Sequence, residues 1–412
     1  IPTPLEPLLR VPDGQLTPGQ RAQLREHFLL TAPQLAKAAR EIRELRRPPA
    51  YPTTLVLRER PVGSPRPTFI HKRGEFLQPT DPVEAEVPQF LPRLPSGVRH
   101  DRLALARWLV SSENPLTARV VVNRQWAAFF GAGIVGTQND FGFQGDLPTH
   151  PDLLDWLAQE FVKQGWSLKK LHRLIVTSSI YRQSSVVSPE GLARDPRNRW
   201  LARGPRVRLD AEIIRDSALA ASGTLSAKMF GPPVKPPQPA GVTEVAYGSP
   251  KWEVSAGEDR YRRSIYTFQK RSAPFAMFNT FDAPSGETCV ARREVSDTPL
   301  QSLTLLNDIA FVEAAQKLGS LTSRQTGDDS RRLEFLFRRV LTRRPARFEV
   351  DRLRAFLQSQ RARLESGELK PSEILGEREG AENDGGSAAA ERAAWTLVAR
   401  ALLNLDESIT KQ

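Results

Sequence analysis

The chain has 412 residues, a formal net charge of +12 and 39% apolar residues. This length suffices for one large domain or for two to three ordinary ones with a substantial core, and no apolar run of about 18 residues predicts a membrane span. The 59 cationic residues include only twelve lysines and are spread along the chain. Many arginines are therefore expected to pair with carboxylates, and nucleic acid is not an expected partner.

Cys289 is the only cysteine, so the chain has no intramolecular disulfide, no cysteine-rich zinc site and no Cys-x-x-Cys-His haem attachment. The five histidines have no zinc-binding spacing, and no P-loop, dinucleotide or nucleophile-elbow motif is present. We therefore expect no metal and no cofactor held by this chain. It begins at Ile1 without a signal sequence, which indicates a removed leader or the tail of a longer polypeptide.

Residues 1–100 are predicted to form a helical linker with short strands. Thr17-Pro18 begins a helix, and a second helix ends before Pro48-Pro49. Thr53–Arg58 and Thr68–His71 are typical of short β-strands. The proline-rich segment Pro79–Pro95 is predicted to be an extended connector.

Residues 101–320 are predicted to form a central helical domain with a small β element. Its first helices are expected over Asp101–Val110 and Leu116–Phe130, followed by a glycine-rich loop. Thr149-His150-Pro151-Asp152 combines a hydroxyl cap, a proline and an acid, so it predicts a helix start with Thr149 as the cap. That helix is expected to end at Gly165.

The second half of this domain is predicted from its turns and caps. Asp210 is expected to begin a helix that ends near Gly223, and Thr298-Pro299 and Asp308 to begin two more. Between them, Tyr261–Lys270 alternates like a strand, with Ile265 and Phe268 directed inward.

Residues 321–412 are predicted to form a C-terminal helical subdomain. Leu333, Leu336 and Phe337 begin a helical apolar stripe, and Trp395 belongs to the last helix. The Gly/Ala/Glu-rich loop near 376–390 is predicted to be disordered. The fold class expected for the whole chain is mostly α with a few short β-strands (α+β), a multi-helix globular domain.

Aromatic residues are concentrated in the central block. One group has helical spacing, which favours packing in the core; the alternative is a sugar-binding groove. This group contains Trp108, Trp126, Phe129, Phe130, Trp156 and Trp166. A second group lies in loop-like segments near prolines and is expected to be exposed, so these residues are the candidate ligand-binding aromatics: Trp200, Tyr247 and Trp252.

The glycine-rich loop 131–150 is the first candidate catalytic site. Asp140, Asp146 and His150 could converge as an acid/base group or as metal ligands. The alternative is a turn in which the aspartates bind backbone amides and His150 lies at a helix start. The residues alone favour the turn.

The segment 282–294 is the second candidate. Asp282 and Glu287 could act as acid and base in glycoside chemistry if the fold sets their separation correctly, and Arg292 and Arg293 are candidate ligand-binding residues. Neighbouring arginines would also make Cys289 more reactive. The alternative, which the residue types favour, is an arginine–carboxylate network that holds a loop, with Cys289 a small buried hydrophobe.

Several long motifs occur together and in order. They are RLALARWLVSSENPLTARVVVNRQW, DFGFQGDLPTHPDLLDWLA, LHRLIVTSSIYRQSS, ARGPRVRLDAE, YRRSIYTFQKR, TFDAPSGETCVARREVSDTPLQSLTLLND and LLNLDESIT. With these motifs, residues 53–412 resemble the uncharacterised C-terminal domain of large exported proteins of planctomycetes and acidobacteria, which carry an upstream cytochrome-c-like domain. The resemblance implies location in the periplasm or cell envelope and a c-type cytochrome domain or subunit as partner. Any c-type haem would then lie on that upstream domain or partner.

Three functions follow as hypotheses. The first is a non-haem scaffold or ligand-binding module of an exported, cytochrome-c-linked periplasmic redox assembly. The second is a polysaccharide-active enzyme that uses one of the acidic clusters, with a glycan as its partner. The third is an envelope structural protein whose basic surface binds an anionic polymer.

Overall fold

The computed structural model describes residues 5–47, 53–61, 66–243, 251–376 and 386–411. About 52% of the chain is helical, and the described residues contain 17 α-helices and two small antiparallel sheets. The fold is therefore mostly α with few strands, as predicted. The chain divides into two compact units, one of residues 1–86 with 99–102 and the other of residues 87–98 with 103–412.

The first unit contains helices α1 (Pro18–Thr31) and α2 (Ala36–Leu45) and strands β1 (Thr68–His71) and β2 (Pro79–Val83). Thr17 and Gln20 form a reciprocal capping box at the start of α1. Strand β1 is confirmed, but β2 lies in the predicted connector and pairs antiparallel with β1.

The prediction of a strand at Thr53–Arg58 is wrong. This segment is extended and exposed, and it has no partner strand among the described residues. Its β-branched and apolar composition suits a strand, but a strand forms only where a neighbour accepts its backbone hydrogen bonds.

The second unit contains the remaining helices. They are α3 (Arg102–Leu109), α4 (Thr117–Phe130), α5 (Pro151–Lys163), α6 (Leu168–Thr177), α7 (Ser179–Arg182), α8 (Pro189–Arg194), α9 (Ala211–Ser222), α10 (Ala276–Thr280), α11 (Pro299–Asn307), α12 (Ile309–Ser323), α13 (Asp329–Leu341), α14 (Arg347–Glu365), α15 (Pro371–Leu375), α16 (Gly386–Leu403) and α17 (Asp406–Ile409). Strand β3 (Val207–Arg208) pairs antiparallel with β4 (Thr410–Lys411), and no helix in the described ranges is long and apolar enough to cross a membrane.

Helices α4, α5 and α6 enclose one apolar core. Val122, Trp126 and Leu157 are buried in it, with Leu171 from α6. The buried Asn123 side chain donates to the Val135 carbonyl at 3.0 Å and accepts from the Val135 amide at 2.9 Å. A core residue of α4 therefore fixes the start of the glycine-rich loop.

Helices α9, α12, α13 and α16 enclose the larger core. Phe311, Phe337 and Trp395 are fully buried in it. Helices α12 and α16 approach closely at Gly319, where an added Cβ would lie 2.7 Å from the Thr396 amide nitrogen. The residues of this core lie between positions 211 and 409 and include those of α12. The domain boundary predicted at residue 320 therefore falls inside α12.

Three local predictions are wrong. Tyr261–Lys270 forms no strand: it contains the 3₁₀ turn Ser264–Tyr266, with only isolated β-bridges at Arg262 and Thr267. Ile265 is 74% exposed and Phe268 is half-buried. Trp156 is 51% exposed on the outer face of α5 and not in the core. Thr149 does not cap α5, and its hydroxyl donates to the Ile134 carbonyl instead. The N-cap is His150, whose side chain makes no cap bond.

The loop predicted near 376–390 falls mainly on residues 377–385, which lie outside the described residues. Gly386 to Ala390 form the first part of α16.

Candidate binding cavity

A cavity of about 240 Å³ lies in the second unit, between α9, α10 and the segments around residues 268 and 283–293. Its lining combines aromatic rings, side-chain amides and one ion pair: Glu212, Phe268, Gln269, Pro274, Phe275, Phe278, Asn279, Ala283, Pro284, Gly286 and Arg293. We refer to this site as the Phe275 cavity. It includes Arg293, one of the predicted ligand-binding residues.

Aromatic packing builds one wall of the Phe275 cavity. Phe275 is buried, and its ring contacts Phe278 edge to face at 5.0 Å between centroids. Trp252 stacks on the other side of Phe275 at 5.8 Å, and its Nε1 donates to the Pro236 carbonyl at 2.6 Å. Trp252 was expected to be exposed, but it is half-buried and supports the wall from behind. Ring packing and this hydrogen bond therefore hold the wall in place.

An ion pair lies at the edge of the cavity. The Arg293 guanidinium donates to the two carboxylate oxygens of Glu212 at 2.6 and 3.1 Å. Burial acts to raise the pKa of Glu212, but the bonds from Arg293 and from the Glu212 amide outweigh it, so the pKa is lowered. Both groups are charged at neutral pH. The pair brings no net charge to the cavity.

Side-chain amides provide the polar part of the lining. Asn279 is exposed on α10, and its side-chain amide has no hydrogen-bond partner in the described part of the chain. Gly286 has a φ of +80°, and an added Cβ there would lie 3.2 Å from Gln269 Nε2. The positive φ at Gly286 favours glycine, and an added Cβ would also require Gln269 to shift slightly.

Asp282 lies next to the cavity in sequence but its carboxylate has another role. It accepts from the Ser296 amide and hydroxyl at 2.8 Å and from Gln301 Nε2 at 3.3 Å. Gln301 also accepts from Arg208 at 3.1 Å. Asp282 thus connects the end of α10 to the start of α11 and to β3.

The other predicted residues of this segment do not gather around Asp282. Glu287, Cys289 and Arg292 are exposed. The suggestion that Cys289 is buried is therefore wrong. Only Arg293 turns inward, towards Glu212, a partner 81 positions earlier in the chain.

In the glycine-rich loop, a local turn holds the side chain of Asp140 and the backbone of Asp146. Asp140 accepts from the Gly142 amide at 2.8 Å, and the Asp146 amide donates to the Thr137 hydroxyl at 2.9 Å. His150 Nδ1 lies 3.0 Å from the Thr149 hydroxyl. Among the residues described, no group of three or more His, Cys, Asp or Glu side chains could hold a metal ion.

Trp200, another candidate aromatic, is not part of the lining of the Phe275 cavity. Trp200 is 66% exposed, and its amide donates to Asp195 at 2.8 Å. Tyr247 lies outside the described residues.

Two buried arginines were not predicted from the sequence. Arg215 of α9 donates to the carbonyls of Arg260 and Arg262, at 2.9 and 2.8 Å. Burial lowers its pKa to about 10, so it remains charged at neutral pH. Arg262 lies 3.8 Å above the Tyr266 ring and donates to the Phe230 carbonyl at 2.5 Å. These contacts hold the segment that precedes Phe268. In the sequence, the two arginines lie in the segments RDSALAASG and YRRSIYTF. Neither segment alone indicates that the two pack against each other.

The family model described as PSD1, Protein of unknown function (DUF1553), matches residues 101–357. The chain belongs to this family. The match contains every residue of the Phe275 cavity and ends within α14, whereas the resemblance inferred from the motifs extends from residue 53 to residue 412. No curated protein and no solved structure matches the chain.

Proposed function

We propose that this DUF1553 chain is a binding module, and that the Phe275 cavity receives one apolar or aromatic group of a partner protein. The observation that carries the proposal is the cavity itself, with a wall of packed aromatic rings and hydrogen-bonding groups beside it. Its volume of about 240 Å³ is below the range of about 300–1,000 Å³ that is typical of small-molecule sites. Pockets that bury a single side chain dominate the energy of many protein interfaces.

The surface near the cavity supports docking of a protein. Ile265 precedes the cavity residue Phe268 by three positions, and Val290 precedes Arg293 by three; both are more than half exposed. Arg271 and Arg292 are exposed on the same segments. A pocket with an aromatic wall, bordered by segments that carry charged groups, resembles the usual composition of an interface, a desolvated centre with a polar rim.

The partner that we propose is a c-type cytochrome domain or subunit of an exported assembly in the periplasm or cell envelope. This part rests on the resemblance of the sequence motifs to exported proteins with a cytochrome-c-like domain. The haem belongs to the partner in this proposal, and the present chain supplies the docking surface. The net charge of +12 would favour association with an acidic surface at low ionic strength.

The contacts of the acidic residues favour binding over the polysaccharide-active alternative. Asp282 has both carboxylate oxygens occupied by Ser296, and Asp140 is bound to its own turn. A general acid or base needs a carboxylate that can reach the substrate. The third hypothesis, binding of an anionic polymer by the basic surface, stays a prediction.

The test is a dithionite-reduced minus oxidised visible spectrum of the chain isolated gently from its native cells. We expect the bands of a c-type haem to remain with the chain through size-exclusion chromatography. The same preparation washed in high salt provides the control, since steering by surface charge weakens as ionic strength rises. A spectrum without haem at low salt would contradict the cytochrome partner.

A further inference from the structure

A second concave site in the same unit lies apart from the Phe275 cavity. It is a cleft of about 510 Å³ between the end of α9, the 3₁₀ turn at Gly257–Tyr261 and one side of α12. Its lining contains no large aliphatic side chain: Gly223, Thr224, Ser226, Ala227, Gly257, Glu258, Tyr261, Glu313 and Lys317. The volume lies within the range of about 300–1,000 Å³ of small-molecule sites, so the cleft has room for a ligand larger than one side chain.

The floor of this cleft is held in place by hydrogen bonds. The Tyr261 hydroxyl donates to Glu313 at 3.0 Å, and Arg260 donates to both oxygens of the same carboxylate at 2.6 and 3.3 Å. The Ser226 hydroxyl donates to Glu258 at 3.3 Å. These polar groups therefore have fixed positions before any ligand arrives, which lowers the entropy cost of binding.

The charges in the cleft are close to balance. Glu313 is paired with Arg260, and Glu258 is paired with Lys228 at 3.4 Å. The Lys317 ammonium is exposed and has no partner within the described ranges. The Lys317 ammonium would repel a polycation, and the carboxylates of Glu258 and Glu313 would repel an anion. Neither kind of ligand therefore fits the whole cleft.

We propose that this cleft binds a neutral, hydroxyl-rich ligand of the carbohydrate class. Each hydroxyl of such a ligand both donates and accepts a hydrogen bond, which matches a lining of carboxylate acceptors, an ammonium donor and three protein hydroxyl groups. The ring of Tyr261 adds an aromatic surface of the kind that packs against the apolar face of a sugar. This site goes beyond the proposed partner docking and does not depend on it.

The experiment is a calorimetric titration of the whole chain with neutral hexasaccharides: cello-, xylo-, manno- and malto-hexaose. Lys317→Ala removes the unpaired ammonium at the cleft, and Lys163→Ala makes the same change at an exposed position at the end of α5. Loss of one such hydrogen bond is worth about 1 kcal/mol, so we expect at least one hexaose to bind about fivefold more weakly to Lys317→Ala than to the parent chain. Lys163→Ala is expected to bind like the parent chain.

Charged oligosaccharides distinguish this proposal from simple electrostatic binding. Hexagalacturonate and a chitosan hexamer are titrated in parallel, and both are expected to bind more weakly than the best neutral hexaose. The proposal is overturned if no neutral hexaose binds, if a charged oligosaccharide binds more tightly, or if the two lysine variants bind equally.

Discussion

Asp282 and Asp140 both lie in loops, but Asp282 accepts more hydrogen bonds, and from residues farther along the chain. Asp282 accepts from the Ser296 amide and hydroxyl, 14 positions along the chain, whereas Asp140 accepts from the Gly142 amide two positions away. Asp282 also has a φ of 61°, in the left-handed region where Asp and Asn are tolerated. A bond across the fold stabilises tertiary structure, but a bond within a turn stabilises only the turn.

The residue-scale prediction compares Asp282→Asn with Asp140→Asn. The amide at position 282 would accept fewer of these bonds and lose its charge, so we expect a loss of about 1–3 kcal/mol in the free energy of unfolding. The loss for Asp140→Asn is expected to stay below about 1 kcal/mol. Urea denaturation measures both, and equal losses would show that the bonds of Asp282 do not hold the fold.

At the residue scale, the sequence predicted the type of interaction better than its partner. The suggestion of an arginine–carboxylate network was close for Arg293, but its carboxylate is Glu212 and not the neighbouring Asp282 or Glu287. Arg215 and Arg262 were missed because a buried arginine has the same sequence signature as an exposed one. Their partners are backbone carbonyls, which no residue pattern reveals.

At the scale of elements, helix starts were predictable because their signals are local. Thr17, Thr298 and Asp308 each cap a helix with the side chain. Of the strands, only β1 was predicted within its bounds, because a strand depends on a distant partner. Pro79–Val83 pairs with β1 despite its two prolines, whereas the apolar Thr53–Arg58 segment has no described neighbour strand.

The element-scale prediction concerns the contact between α12 and α16 at Gly319. An added Cβ would lie 2.7 Å from the Thr396 amide nitrogen and 2.8 Å from its Cα, so the helices would have to separate. We expect Gly319→Ala to lower the free energy of unfolding by about 1–3 kcal/mol, the usual cost of overpacking, despite the better helix propensity of alanine.

Gly19→Ala in α1 is the matched control, because an added Cβ there meets no atom within 4 Å. It is expected to be neutral or to stabilise by up to about 1 kcal/mol. If Gly319→Ala behaves like Gly19→Ala in urea denaturation, the close approach of α12 and α16 is not what holds the larger core.

At the scale of the whole molecule, acidic side chains paired with arginine dominate the response to pH. Hydrogen bonds from Arg361 lower the pKa of Asp329. Burial acts to raise the pKa of Glu391, but bonds from Arg361 and Trp395 outweigh it, so that pKa is also lowered. The pKa values of Asp155, Glu212 and Glu349 are lowered as well. Asp308 is the exception, since burial raises its pKa.

The pH prediction follows from the direction of these shifts. A carboxylate whose folded pKa is lowered stabilises the fold above its unfolded pKa of about 4, and this contribution disappears as pH falls through the folded pKa. Five such groups outnumber Asp308, which acts in the opposite direction. We therefore expect the free energy of unfolding in urea to fall steadily from pH 6 to pH 3.

The double variant Asp329→Asn, Glu391→Gln removes two of these groups. Its unfolding free energy is expected to be lower than that of the parent chain at pH 6 and to change less between pH 6 and pH 3. An unchanged slope would mean that the Arg361 pairs do not couple stability to pH.

The central claim is that the Phe275 cavity is the contact for a haem-carrying partner. Asn279→Trp places a large ring at the exposed cavity residue of α10, and Asn307→Trp makes the same change at the exposed end of α11, outside the cavity lining. Each variant of the 412-residue chain is produced in the native cells as a separate polypeptide, so that any haem must come from a bound cytochrome. The measurement is the ratio of haem to protein, from the reduced minus oxidised spectrum, after gentle isolation of each variant. We predict that the parent chain and Asn307→Trp retain haem and that Asn279→Trp loses most of it, because a blocked anchor pocket costs about 2 kcal/mol or more. Equal haem in the two variants would contradict the cavity as the docking site.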